Sequence, residues 1–179
     1  MIETHGEELV RVLLEGGFNV ALRPHPLTRR HAGKTLTAIE NAWKDHPGFS
    51  YNADMTAQGD LHKADLMISD WSGAALEFAF AFGRLRPVLF VDVPRKVNNP
   101  NYEALETKPL EVTIRTEIGT IANASKLDEL PAEVTALLSE GDTMADKIAH
   151  ARAQYVFNLG DSGRAGAQRI AELADQLPA

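Results

Sequence analysis

The stretch from residue 64 to residue 92, ADLMISDWSGAALEFAFAFGRLRPVLFVD, constrains the fold more than any other. Leu66-Met67-Ile68-Ser69 is a short apolar run of the kind a buried strand carries. Asp70-Trp71-Ser72-Gly73 is a polar turn. Residues 74–82 are almost wholly apolar and predict a helix, which Gly83 stops. Pro87-Val88-Leu89-Phe90-Val91 predicts a second buried strand. Strand, tight turn, helix and strand make a βαβ unit, whose strands lie parallel. Such a sheet gathers its chemistry at the carboxyl ends of its strands. In this unit that end is the turn at Asp70.

Two readings of the turn stand side by side. The first turn of a helix leaves backbone N–H groups without partners, at the positive end of the helix dipole. Such an end attracts phosphate. Ser72 adds a hydroxyl, and Gly73 has no Cβ to hold a ligand off. Glu77, the lone charge on the helix, is placed one turn on, where it can accept hydrogen bonds from ribose hydroxyls. Together these residues suggest a nucleoside diphosphate. In the other reading Asp70 and Ser72 are ordinary caps, which stabilise a helix by about 0.5–2 kcal/mol with no ligand at all. The turn has neither the P-loop pattern nor the GxGxxG fingerprint.

Composition narrows the classes. With 179 residues, the chain is expected to form a single domain over 1–179. A net charge of −7 argues against a nucleic-acid partner, which needs clustered Lys and Arg, although it leaves room for a local basic patch. Without cysteine there is no disulfide and no thiolate metal site, which fits the cytoplasm. No apolar run of about 18 residues is present to cross a membrane. The six histidines show no HxxxH or HExxH spacing, so no zinc site is expected. No cofactor is expected either. No GxSxG elbow marks a serine hydrolase.

The remaining elements follow from periodicity. Residues 4–17 predict a helix capped by Thr4 with Glu7, with Leu9, Val10, Leu13 and Leu14 on its apolar face. An α/β domain ordinarily opens on a strand, so a strand upstream, or a longer parent protein, is expected. Residues 18–22 predict the first strand. At its carboxyl end, Arg23-Pro24-His25-Pro26 holds His25 in an extended, exposed turn beside a fixed charge. His25 there is suited to phosphate contact or proton transfer, or is a loop histidine with no role. Arg29, Arg30 and His31 either line a phosphate site or form a solvated loop, with the loop favoured.

Helices are predicted over 33–44 and 54–63, with a strand over 49–52 between them. Residues 92–110 form a proline-rich connection, either a lid or a plain link. Residues 112–115 read as a weak strand, and Ile118-Gly119-Thr120-Ile121 as a lining of the sheet edge. Ser125 and Asp142 are expected to cap helices reaching Leu138 and Phe157. The last predicted helix covers 164–177, with Ile170, Leu173 and Leu177 inward. Ser162, Gly163 and Arg164 at its start are either caps or a second anion site.

Taken in order, three of these stretches resemble the CDP-glycerol glycerophosphotransferase family, the poly(glycerol phosphate) transferases of teichoic-acid-type polymer synthesis. Arg23-Pro24-His25-Pro26 looks like the family's R-x-H-P segment. Residues 64–73 look like its A-D-x-x-I-T/S-D-Y-S-S segment, continuing through Glu77-Phe78-Ala79 to Arg86-Pro87. Asp161-Ser162-Gly163-Arg164-Ala165 through Arg169-Ile170 looks like its D-G-x-A-x-x-R-I/V segment. Gly73 stands where the family often has serine, and Glu77 where it often has aspartate.

The resemblance implies a Rossmann-like α/β domain, a mainly parallel sheet flanked by helices, as the carboxyl-terminal half of a GT-B-type fold. Its amino-terminal half would be a partner domain with no counterpart in these residues. Asp70, Ser72, Gly73 and Glu77 would bind a CDP-activated polyol. Arg23 and His25 would act on the phosphate in transfer, and Ser162, Gly163 and Arg164 would add a second contact. The acceptor would be a polymer or lipid-linked hydroxyl, reached from the cytoplasm or the inner membrane face through the whole protein. A UDP-sugar glycosyltransferase or epimerase of the same fold, and a non-catalytic Rossmann-like interaction module, are the alternatives.

Overall fold

The computed structural model of the protein describes residues 1–52, 59–81, 83–95, 97, 99–104 and 106–176. The start of the helix expected over 54–63, the expected helix end at Phe82, and Leu177 lie outside the described residues. Helix α1 (Ile2–Glu15) leads to strand β1 (Val20–Leu22), then α2 (Pro26–His31), α3 (Gly33–Trp43) and β2 (Phe49–Tyr51). After α4 (Gly59–Lys63) come β3 (Met67–Ser69), α5 (Ala74–Phe80) and β4 (Val88–Asp92). The chain continues through α6 (Leu110–Thr113), β5 (Gly119–Asn123), α7 (Leu130–Ser139), α8 (Gly141–Tyr155) and α9 (Ser162–Ala174).

The domain is α/β, and every strand pairing is parallel. β3, β4 and β5 form one sheet in that order, with Ile68 opposite Leu89 and Leu89 opposite Thr120. β1 and β2 form a second, with Ala21 opposite Ser50. The sequence leads one to expect a single sheet, but Pro24, which has no N–H to donate, stands two residues beyond the end of the three-residue β1, and no described strand joins β1 to β3. Helix α1 links the two sheets instead, because it carries apolar residues on two sides. Leu9, Val12 and Leu13 enter the larger core with Phe78, Val88, Leu89 and Ile148. Val10 and Leu14 enter the smaller one with Leu22, Leu36 and Ile39. Phe78 and Ile148 are fully buried, each contributing roughly 1.5–3 kcal/mol of burial free energy. Gly17, at φ +83°, takes the left-handed conformation that turns the chain from α1 toward β1.

Several local expectations are corrected. Thr4 lies inside α1, where its hydroxyl donates to the Met1 carbonyl; the N-cap is Met1. Residues 29–31 belong to helix α2 rather than a loop, because Pro26 occupies the first turn and His25 caps it. Residues 110–113 are a helical turn, with the Ile114 N–H donating to the Leu110 carbonyl, not a strand. Ser125 bonds back to Asn123 and caps no helix, a 3-10 turn at Leu127–Glu129 intervening before α7. Glu140, not Asp142, is the N-cap of α8. Ile170 and Leu173 do not face inward: they are 70% and 47% exposed, and no residue of α9 is buried.

Candidate functional site

The sequence places its candidates at strand carboxyl ends, and the fold keeps them there. Ser69 ends β3 and is buried. Asp70 follows, half-buried, and its Oδ2 lies 3.2 Å from the Met1 ammonium. The Ser72 Oγ accepts a hydrogen bond from the Ala74 N–H at 3.3 Å, so its hydroxyl serves the turn itself. Gly73 is the N-cap of α5, exposed, and a Cβ added to it would meet nothing within 4 Å. Glu77 lies in the first turn of α5 and is exposed. The turn therefore presents an open backbone position with a carboxylate one turn beyond it.

Two side chains that sequence reasoning passed over hold this turn in place. The Trp71 Nε1 donates to the Val93 carbonyl at 2.8 Å, tying the end of β3 to the end of β4. The Arg115 guanidinium lies 3.9 Å from the Trp71 ring centroid and 5.1 Å from that of Phe90. Its Nη1 donates to the Asp92 Oδ1 at 3.2 Å. The Arg115 side chain is only 5% exposed, so its attraction to the ring faces operates largely without water. A Trp inside an otherwise small, polar turn was the available signal. Arg115 gave none, because the residues around it suggested a strand.

Arg86, just before β4, is also a fold residue. It is 3% exposed, and its Nη1 donates to the carbonyls of Leu61, His62 and Ala64. These include the carbonyls that the end of α4 leaves without intrahelical partners. Its guanidinium stacks on Phe78 at 4.4 Å. Burial, and then the neighbouring Arg84, push its pKa below the ordinary arginine value.

At the carboxyl end of β1, His25 is exposed, and its Nδ1 accepts the Leu27 N–H at 3.2 Å. An accepting Nδ1 puts the proton of the neutral ring on Nε2, which is then the atom free to donate. Arg23 directly follows β1 and is half-buried. Ser162, Gly163 and Arg164 begin α9. The Ser162 hydroxyl donates to the Asn158 carbonyl, and Arg164 forms a forked ion pair with Asp161. Among the described residues no hydrogen bond or ion pair joins the turns at His25, Ser72 and Ser162 to one another. Two open depressions, of about 540 and 470 Å³, lie along the outer side of α1 and beside Glu117 and His150; none of the candidates lines them.

Comparison with protein-family models, with curated proteins and with solved structures finds no match to this chain. Among the described residues no helix is long and apolar enough to cross a membrane.

Proposed function

We propose that this domain binds the nucleoside diphosphate of a CDP-activated polyol, in a GT-B-type phosphotransferase of the glycerophosphotransferase kind. The observation that carries this reading is the turn between β3 and α5. Gly73 is open to solvent at the sheet's carboxyl end, with Glu77 one helical turn beyond, and the Trp71–Arg115 stack fixes the loop behind them. The backbone around Ser72 and Gly73 would take the pyrophosphate. Glu77 would accept from the ribose hydroxyls. Asp70 would flank the site.

In the reaction, an acceptor hydroxyl oxygen attacks the phosphorus that bears the polyol. The P–O bond to CMP breaks with its electrons leaving on the CMP phosphate oxygen, and the hydroxyl proton passes to solvent. His25, donating from Nε2, and Arg23 would neutralise charge on the phosphate in transfer or on the departing CMP. Ser162, Gly163 and Arg164 would supply a second phosphate contact, for which Arg164 must exchange Asp161 for the ligand. Catalysis of this kind comes mainly from positioning and charge stabilisation.

Calorimetric titration with CDP-glycerol, CDP, UDP and UDP-N-acetylglucosamine tests the reading. The expected result is cytidine-selective binding that Ser72→Ala and Glu77→Ala each weaken at least tenfold. A uridine preference would replace it with the glycosyltransferase or epimerase reading. One observation favours a non-catalytic interaction module: Phe157, Leu159, Ile170 and Leu173 leave an apolar surface exposed at and before α9. That reading wins if no nucleotide binds, including to any longer protein that contains this domain.

A further inference from the structure

The charge along this chain is unevenly distributed. Residues 16–39 contain no Asp or Glu; they carry Arg23, Arg29, Arg30 and Lys34, with His25 and His31 between. This segment is therefore +4 in a chain of −7, and the other residues together are −11. It covers β1, α2 and most of α3. Elsewhere the arginines are engaged: Arg11 with Glu15, Arg84 with Asp65, Arg115 with Asp92, Arg164 with Asp161 and Arg169 with Glu172. Among the described residues, Arg29, Arg30 and Lys34 make no ion pair. Arg30 and Lys34 are exposed. Arg29 is half-buried, and its Nε and Nη2 are closed off from solvent with no hydrogen-bond acceptor.

Arg86 and Arg115 also leave Nε and Nη2 unmet, but each donates through Nη1 to the fold; the Arg29 guanidinium donates nowhere among the described residues, an unfavourable arrangement that an anion would complete. Guanidinium forks match phosphate oxygens. We infer that the junction of α2 and α3 binds a phosphate-bearing polyanion, with one phosphate seated against Arg29 and further phosphates met by Arg30 and Lys34. A linear chain of phosphate groups fits better than a nucleic acid, because the segment exposes no Phe, Tyr or Trp to stack on bases: Phe18 is half-buried, and the small imidazoles of His25 and His31 are the exposed rings. It also fits better than a membrane. Leu27, 55% exposed, is the segment's one exposed large apolar side chain, and lipid surfaces are held by an apolar helix face. The inference involves none of the residues assigned to the nucleotide and does not depend on that reading.

The test is titration of the whole chain with linear inorganic polyphosphate at low and moderate salt. Binding should fall roughly 20-fold between about 50 and 200 mM salt, as expected for about three phosphate contacts. Arg29→Gln should weaken binding about tenfold and Arg29→Lys much less, with thermal melts confirming that both fold. The triple change Arg29→Gln, Arg30→Gln and Lys34→Gln should abolish it. Three exposed lysines elsewhere, Lys44, Lys63 and Lys108, changed together to Gln, should leave affinity within about twofold. Equal loss in that control would reduce the effect to net charge and overturn the site. So would no binding by the wild type, or tighter binding of an oligonucleotide or of phosphatidylglycerol vesicles. Ser72→Ala and Glu77→Ala should leave polyphosphate affinity unchanged whatever they do to nucleotides, so the two readings fail separately.

Discussion

The two sheets treat buried arginine in opposite ways. Beside β3, β4 and β5, Arg86 and Arg115 are 3% and 4% exposed, and both are engaged by the fold. Arg86 takes the carbonyls ending and following α4, and Arg115 lies among Trp71, Phe90 and Asp92. Each still keeps Nε and Nη2 out of solvent without an acceptor, so it is the Nη1 bonds that tie them to the fold. Beside β1 and β2, Arg29 leaves the same two nitrogens without an acceptor and makes no guanidinium hydrogen bond at all among the described residues. Burial alone thus does not separate a structural arginine from one kept for a ligand. The acceptors do. Where the fold supplies one or more, the residue belongs to the architecture; where it supplies none, the charge is available to something outside.

The largest effect should come from the better-packed unit. Gly119 in β5 lies opposite Val88 in β4. A Cβ there would fall 1.6 Å from the Val88 carbonyl oxygen, which no rotamer change can relieve because the obstacle is backbone. Gly119→Ala should cost about 3–5 kcal/mol, in the range of severe core strain, and be seen as a fall in the denaturant midpoint. A loss below about 1 kcal/mol would mean that this sheet yields more readily than its geometry suggests, and the contrast between the two units would weaken.

Arg86→Met comes next. The change keeps much of the apolar stem against Phe78 but removes the donor from the carbonyls of Leu61, His62 and Ala64. Leaving buried acceptors unmet should destabilise by about 2–4 kcal/mol. Hydrogen exchange should locate the loss first in α4, whose end Arg86 completes. Uniform loss of protection with α4 no worse than the rest would argue against the capping role.

The unit from β3 to β4 was legible because its signals are local. A continuous apolar run marks β3 and β4, and an apolar helix stopped by Gly83 marks α5. Ser72, Gly73 and Glu77 fall at the predicted end of the strand for the same reason. Other features depend on contacts that no window of sequence contains. Val112-Thr113-Ile114 has strand-like composition, but Pro109 and Leu110 begin a helical turn and propensity yields to it. Pro24 and Pro26 were expected to hold His25 extended, as they do; that Pro26 also starts a helix, with His25 as its cap, is a choice the dipeptide leaves open. The split into two sheets depends on pairing between distant strands. Trp71 and Arg115 are 44 positions apart, and only the fold stacks one upon the other. Ile170 and Leu173 show that periodicity identifies the apolar side of a helix without naming what covers it.

The smallest effect carries the most information about the contrast, because its sign is reversed. Arg29→Met exchanges a guanidinium that makes no hydrogen bond among the described residues, unlike Arg86 with its Nη1 bonds, for an apolar side chain of similar length. Replacing an imperfectly satisfied buried cation by a hydrophobe is often neutral or stabilising. In the absence of any anion, the variant should be about 1 kcal/mol more stable than the wild type, where Arg86→Met is several-fold worse in the other direction. The measurement is a pair of denaturation curves in a non-binding buffer, repeated with polyphosphate. Ligand should raise the wild type and leave Arg29→Met nearly unmoved, since only a state that binds is stabilised by mass action. If Arg29→Met instead loses stability comparable to Arg86→Met without ligand, Arg29 is a fold residue like the others. The distinction between the two sheets would then be one of packing and not of purpose.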